Sequence, residues 1–223
     1  MENIKNNKKL ILAKIRQIHK SSNYSLLPIP KLVAVSKKQE EFKVDAAIYS
    51  GQRVFGENRV QEAQKRWEKR FKTYKDIELR LIGPLQTNKT KQALDLFDII
   101  ETIDREKLAK EIAKNFNKSS KTKSLYIQVN TGSESQKSGL TPSEVDPFIN
   151  FCVNELKLPI NGLMCIPPQN EEPSMHFAFL KNIANRNNLT ELSMGMSNDF
   201  EEAIKFGATS VRIGSLFFGA REF

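Results

Sequence analysis

Apolar residues along this chain fall into short runs rich in valine, isoleucine and leucine. Between them lie longer stretches in which apolar positions recur every three or four residues. The runs predict strands over residues 32–36, 53–56, 79–83, 99–103, 125–130, 161–166, 191–194 and 211–214. The intervening segments predict helices that begin near Glu40, Arg59, Lys89, Arg105, Ser143, Met175, Asn198 and Ser215. An amphipathic helix over about residues 3–20 comes first, followed by a linker carrying Pro28 and Pro30. In REKLAKEIAKNFNK, Leu108, Ile112 and Phe116 are expected to face inward and the lysines outward.

Eight strands, each followed by a helix, predict an α/β fold: a single (β/α)8 TIM barrel with an extra N-terminal helix. Parallel strands need crossover helices, and eight of them close a sheet without leaving an edge. An open doubly wound sheet is the competitor, but no GxGxxG follows the first strand and no composition break separates two halves. With no internal linker, residues 1–223 are expected to form one domain.

Composition narrows the choice of chemistry. Cys152 and Cys165 sit in apolar runs without CxxC spacing, which predicts buried thiols in a reducing cytoplasm and no disulfide or metal site. His19 and His176 lie far apart on helix-like segments, where a surface or packing role is the default. The N-terminal segment has its apolar residues broken up by lysines, unlike a signal peptide, and no stretch reaches the length of a membrane span. The formal charge of +9 raises nucleic acid as a partner. The basic residues are scattered over helix surfaces without interleaved aromatics, so neither nucleic acid nor membrane is expected.

In a barrel, functional residues come from the loops after the strands. KLVAVSKKQ drives an apolar run into Lys37 and Lys38 at the end of the first strand. A partly desolvated amine there can condense with an aldehyde. Two solvated charges at a strand terminus account for the same residues, and strand alternation says only that the two lysines point to opposite faces. GENR, GPLQTNK and NTGSESQKSG end the second, third and fifth strands, and Asn88 in the second of these loops is explained equally by helix capping. SMGMS and RIGS place Ser197, and then Gly214 with Ser215, after strands seven and eight, where barrels commonly bind phosphate. Helix capping by the two serines is the competing explanation.

AVSKKQ, FGENRVQEAQ, LIGPLQTNKTK, TIDR, QVNTGSESQKSG, GLMCIP, LSMGMSNDFEEAI and VRIGSLFFGAR follow one another from residue 31 to 221. In order and spacing the chain resembles the pyridoxal phosphate homeostasis proteins, a family similar to the N-terminal barrel of alanine racemase without its second β-domain. The resemblance implies a bound pyridoxal 5'-phosphate (PLP). Lys37 would form the Schiff base, Asn58 would lie near the ring, and Met196, Ser197, Gly214 and Ser215 would surround the phosphate. Arg212 would face the pyridine nitrogen, where a permanent cation disfavours the pyridinium form and weakens the ring as an electron sink.

The implied function is a non-catalytic carrier or buffer of PLP in vitamin B6 and amino-acid homeostasis. It would be monomeric and cytoplasmic, with apo PLP-dependent enzymes as partners. A low-activity amino-acid racemase is the alternative. The chain stops at Phe223, just after the eighth βα unit, so a second acid/base across the cofactor is not expected. Arg59 and Arg80 depart from the family pattern, and both are expected to bear on the rim of the pocket.

Overall fold

The computed structural model describes residues 2–116 and 120–219. Eight parallel strands close into a barrel in chain order: β1 (Lys31–Val35), β2 (Val54–Glu57), β3 (Glu78–Leu81), β4 (Ile99–Ile103), β5 (Ser124–Val129), β6 (Ile160–Cys165), β7 (Glu191–Ser193) and β8 (Ser210–Ile213). Closure is made by β8 against β1, with Lys31 opposite Ser210 and Ala34 opposite Ile213. Around the barrel run α1 (Glu2–Ser21), α2 (Glu41–Tyr49), α3 (Val60–Trp67), α4 (Arg70–Thr73), α5 (Thr90–Leu96), α6 (Glu106–Asn115), α7 (Pro142–Asn150), α8 (Pro173–Arg186), α9 (Phe200–Lys205) and α10 (Ser215–Phe218). The α/β barrel with its N-terminal helix therefore forms as the apolar pattern predicts. Residues 220–221 of the last motif, Asn117 and Lys118 of the segment after β4, and Phe223 lie outside the described residues.

Strand alternation sorts the side chains into two chemically different layers. Leu79 and Leu81 of β3, and Val211 and Ile213 of β8, join one apolar cluster with the inner faces of the helices. Their neighbours Arg80, Ser210 and Arg212 are just as buried but point into the barrel. The interior direction follows from connectivity, because Arg80 Nη1 of β3 donates to Ser210 Oγ of β8, 3.1 Å away, and these strands are not neighbours in the sheet. Branched apolar side chains usually fill such an interior; this one holds charges.

Local signals set the element boundaries. A capping box joins Thr141 and Glu144 at the start of α7, with Pro142 at the first helical position. The third strand stops at Leu81, short of the predicted residue 83. A Cβ on Gly83 would come within 2.4 Å of the Asn58 carbonyl oxygen, so only glycine lets the two strand ends pass this closely. Helix α9 starts at Phe200, two residues later than predicted, because Met196–Asp199 first makes a turn in which Asp199 Oδ1 accepts the Met196 N–H.

Helix α1 is integral to the barrel's outer layer. Ile4, Ile11, Ile15 and Ile18 form its buried stripe, which packs on α2, α9 and α10, and Asn7 Nδ2 donates to the Phe217 carbonyl at 3.2 Å. Ile15 has no exposed surface. Truncating a fully buried isoleucine removes its transfer free energy and leaves a cavity, so Ile15→Ala should cost about 2–5 kcal/mol in urea unfolding. A cost below about 1 kcal/mol would mean that α1 is only loosely attached.

Candidate functional site

One cavity of about 1250 Å³ opens at the C-terminal ends of the strands, and its lining includes Lys37, Asn58, Met196, Ser197, Arg212, Gly214 and Ser215. All seven residues singled out in the sequence are thus brought together from the ends of β1, β2, β7 and β8.

The turn after β1 separates the two lysines. Gln39 N–H donates to the Ser36 carbonyl at 3.1 Å, closing a turn with Lys37 and Lys38 at its centre. Lys38 takes the left-handed conformation, φ +57°, which for a residue with a Cβ costs of order 1 kcal/mol. The result leaves Lys38 exposed and outside the lining, while half-buried Lys37 lines the cavity.

The turn is anchored from beneath. Glu57, fully buried at the end of β2, accepts through Oε1 from Ser36 Oγ (2.7 Å), Trp67 Nε1 (3.2 Å) and Arg66 Nη1 (3.0 Å). Arg66 also donates to the carbonyls of Ser36 and Gln39, and its Nε pairs with Glu41. Burial works against the Arg66 charge, yet Glu57 and Glu41 outweigh it and raise the guanidinium pKa above its ordinary value. One arginine therefore holds both ends of the turn that carries Lys37.

At the opposite side, neither serine acts as the helix cap considered from sequence. Asp199 is the N-cap of α9 and Gly214 that of α10, with no side-chain capping bond at either. Instead Ser215 Oγ donates to Ser197 Oγ at 3.2 Å, which ties the two loops together. The first bonds within α10 are donated by Phe217 and Phe218 to Gly214, so the N–H groups of Ser215 and Leu216 precede the helical ladder. Gly214 has φ −109°, and a Cβ there would meet only Val35 Cβ at 3.7 Å and Val35 O at 3.9 Å. Neither backbone strain nor packing requires glycine at this position; a side chain would take up space belonging to the cavity.

Arg212 lies on the cavity floor, 4% exposed, donating from Nη1 to Ser193 Oγ (2.7 Å) and from Nη2 to the Cys165 carbonyl (2.8 Å). Burial pushes the Cys165 thiol up to about 12 even with Arg212 nearby, so it remains a neutral packing group. Asn58 Oδ1 is buried and has no hydrogen-bond partner among the described residues.

The structure corrects one expectation and refines another. Arg80 is not at the rim: it is 1% exposed inside the barrel, where it pairs with Glu78 and Glu101. Arg59 is outside the lining, with its side chain 70% exposed beside Glu62. Sequence reasoning placed the loop that carries Asn130 and Lys137 at this face but gave no role to these or to Gln128, Pro167 and Glu171, which also line the cavity. The available signal was the glycine- and serine-rich loop after the fifth strand. Asn88 is exposed in a 3₁₀ turn, Thr87–Lys89, that precedes α5.

A closed parallel barrel with a cavity built by its βα loops defines the class, and the family model described as "Alanine racemase, N-terminal domain" matches residues 10–222. A pyridoxal phosphate homeostasis protein of Haemophilus influenzae is 35% identical over 99% of this chain and 97% of its own length. The structure of PipY from Synechococcus elongatus with PLP bound is 32% identical, with a TM-score of 0.75 over 92% of this chain and all of that one. Alanine racemase from Acinetobacter baumannii, at 17% identity, shares the fold, with a TM-score of 0.71 over 100% of this chain and 62% of that one. The chain belongs to the alanine racemase N-terminal domain family and, within it, to the pyridoxal phosphate homeostasis proteins.

Removing Arg66 would leave the buried Glu57 without its cationic partner. Arg66→Ala should therefore destabilise the protein by about 3–5 kcal/mol in chemical denaturation. Arg66→Lys should recover little of this, because a single ammonium cannot span Glu57 and two carbonyls. Full recovery by lysine would show that charge alone, and not the guanidinium fork, holds the turn.

Proposed function

We propose that this protein binds PLP in the barrel cavity and serves as a non-catalytic carrier or buffer of the cofactor in vitamin B6 and amino-acid homeostasis. The observation that carries the reading is the gathering of Lys37, Arg212 and the Ser197/Gly214/Ser215 cradle around one cavity. Two details of that cavity fit the cofactor. The open space over Gly214 admits a phosphate close to the backbone, and the buried Asn58 Oδ1 has an unused acceptor site where a ring substituent would lie. Named relatives and the PLP-bound PipY structure support the same ligand.

In this reading Lys37 would hold the cofactor at its aldehyde. Arg212 would face the pyridine nitrogen, where a guanidinium disfavours the protonated ring. Met196, with the hydroxyls of Ser197 and Ser215 and the N–H groups at the start of α10, would surround the phosphate. PLP supplies an electron-withdrawing ring to amines bound at its aldehyde.

Racemisation needs a second acid/base opposite the lysine. Among the described lining residues, the other proton-transferring groups are engaged. Lys137 donates to the Pro167 carbonyl and pairs with Glu134, Glu171 pairs with His176, and Asp199 accepts from the Met196 N–H. This supports a holding role. We take the protein to act as a monomer. We take apo PLP-dependent enzymes as the recipients and the cytoplasm as the setting.

Borohydride treatment of the PLP-loaded protein should leave a pyridoxyl group on Lys37, read by peptide mass spectrometry. Label on Lys38, or on no lysine, would overturn the assignment. Charge-assisted hydrogen bonds contribute roughly 1.5–3 kcal/mol each, so Lys37→Ala should retain measurable PLP affinity through the phosphate. Gly214→Val should keep the PLP-free melting temperature but lose about tenfold or more in affinity. Loss of binding in Lys37→Ala with full binding in Gly214→Val would move the phosphate site elsewhere.

The carrier is separated from the enzyme by two assays. PLP should pass to an apo-enzyme, and incubation with L-alanine should give no racemisation above free PLP. Lys37-dependent turnover far above free cofactor would establish the racemase instead.

A further inference from the structure

We infer that Ser193 and Glu101 are positioning residues that fix the Arg212 guanidinium at the cavity floor, with Arg80 balancing Glu101 from the far side. The inference rests on the PLP reading for its functional meaning, although the contacts belong to the chain alone.

The chain of bonds has one possible sense. A guanidinium only donates, so Ser193 Oγ accepts from Arg212 Nη1 at 2.7 Å. The serine proton is therefore directed to the other neighbour, Glu101 Oε2, at 2.5 Å, and a carboxylate only accepts. The second Glu101 oxygen takes Arg80 Nη1 at 3.0 Å. Ser193 and Glu101 have no exposed surface, and the Ser193–Glu101 bond runs from β7 to β4 across the barrel interior. Below them Arg80 pairs with Glu78, and Glu78 with Lys31, so charges alternate in sign from the outer end of the barrel to the cavity.

Arg212 ends this alternation, and among the described residues it forms no ion pair of its own. A direct carboxylate partner would neutralise it; a serine hydroxyl orients it and leaves its charge available to a ligand acceptor. Filling the same space with apolar side chains is often neutral or stabilising relative to a buried ionic group. Stability alone therefore gives little reason for a carboxylate at 101, whereas orientation of a cation beneath a ligand does.

The test begins with the PLP-free protein. Side-chain ¹⁵N NMR should show the Arg212 Nη groups in slow rotation. Ser193→Ala should average them, Ser193→Thr should restore the slow pattern, and the paired change Glu101→Gln with Arg80→Met should loosen Arg212 as Ser193→Ala does. If that paired variant does not fold, the serine variants carry the decision, because they leave Arg80–Glu101 intact. With PLP, Ser193→Ala should weaken binding about tenfold and shift the pH titration of the bound chromophore in the same direction as Arg212→Gln. In the Arg212→Gln background, Ser193→Ala should add less than about a twofold change, since the serine acts through the arginine.

Unchanged Arg212 dynamics in Ser193→Ala, or independent additive losses, would overturn the inference. A wild-type protein that takes up no PLP would overturn the proposed function, while the NMR comparison would still decide whether Ser193 fixes Arg212.

Discussion

Two arginines and a glutamate share the interior of a closed sheet, where Arg80 and Glu101 pair and Arg212 is held by hydrogen bonds to Ser193 and the Cys165 carbonyl. Glu101 cannot be hydrated inside the barrel, so its two oxygens must be claimed by Arg80 and Ser193. Burial opposes the charge on Arg80, but Glu101 and Glu78 outweigh it and hold its pKa above the ordinary value. The pairing fixes which face of β3, β4, β7 and β8 turns inward. A one-residue slip in any of these strands would put Leu79, Ile100, Leu192 or Val211 inside and strand the charges against the helices.

The same alternation explains why the architecture was legible in the sequence. The outward faces of the strands supply Val, Leu and Ile to one apolar cluster, and the runs this creates are what the strand assignments read. The interior was not legible for a related reason. Arg80 and Glu101 interrupt apolar runs on strands three and four, and a single charge there reads as exposure or as a strand end. Pairing of β3 with β4 brings Arg80 and Glu101, 21 positions apart, within hydrogen-bond reach, and only closure of the sheet does so for Arg80 and Ser210, 130 apart.

The candidate site was read with similar asymmetry. Lys37, Asn58, Met196, Ser197, Arg212, Gly214 and Ser215, from the ends of strands one, two, seven and eight, reached the cavity because a barrel presents every strand end on one face, while Lys38 and Arg59 did not. The residues that hold them were missed. Arg66 belongs to an ordinary amphipathic helix, and nothing in its neighbourhood points to Ser36, Gln39 and Glu57 until α3 packs beside the first loop. The family resemblance chooses Lys37 over Lys38, but the physical reason lies in the backbone, in the left-handed φ of Lys38.

The docking of α1 joins the two ends of the described chain. Asn7 is fastened to the carbonyl of Phe217, and Phe217 belongs to the short helix whose opening residues border the cavity. That bond ties the first helix to the segment that follows Gly214. A shortened N-terminus, or a bulky fusion that lifts α1 from the barrel, would be felt at a site some 200 residues away in sequence.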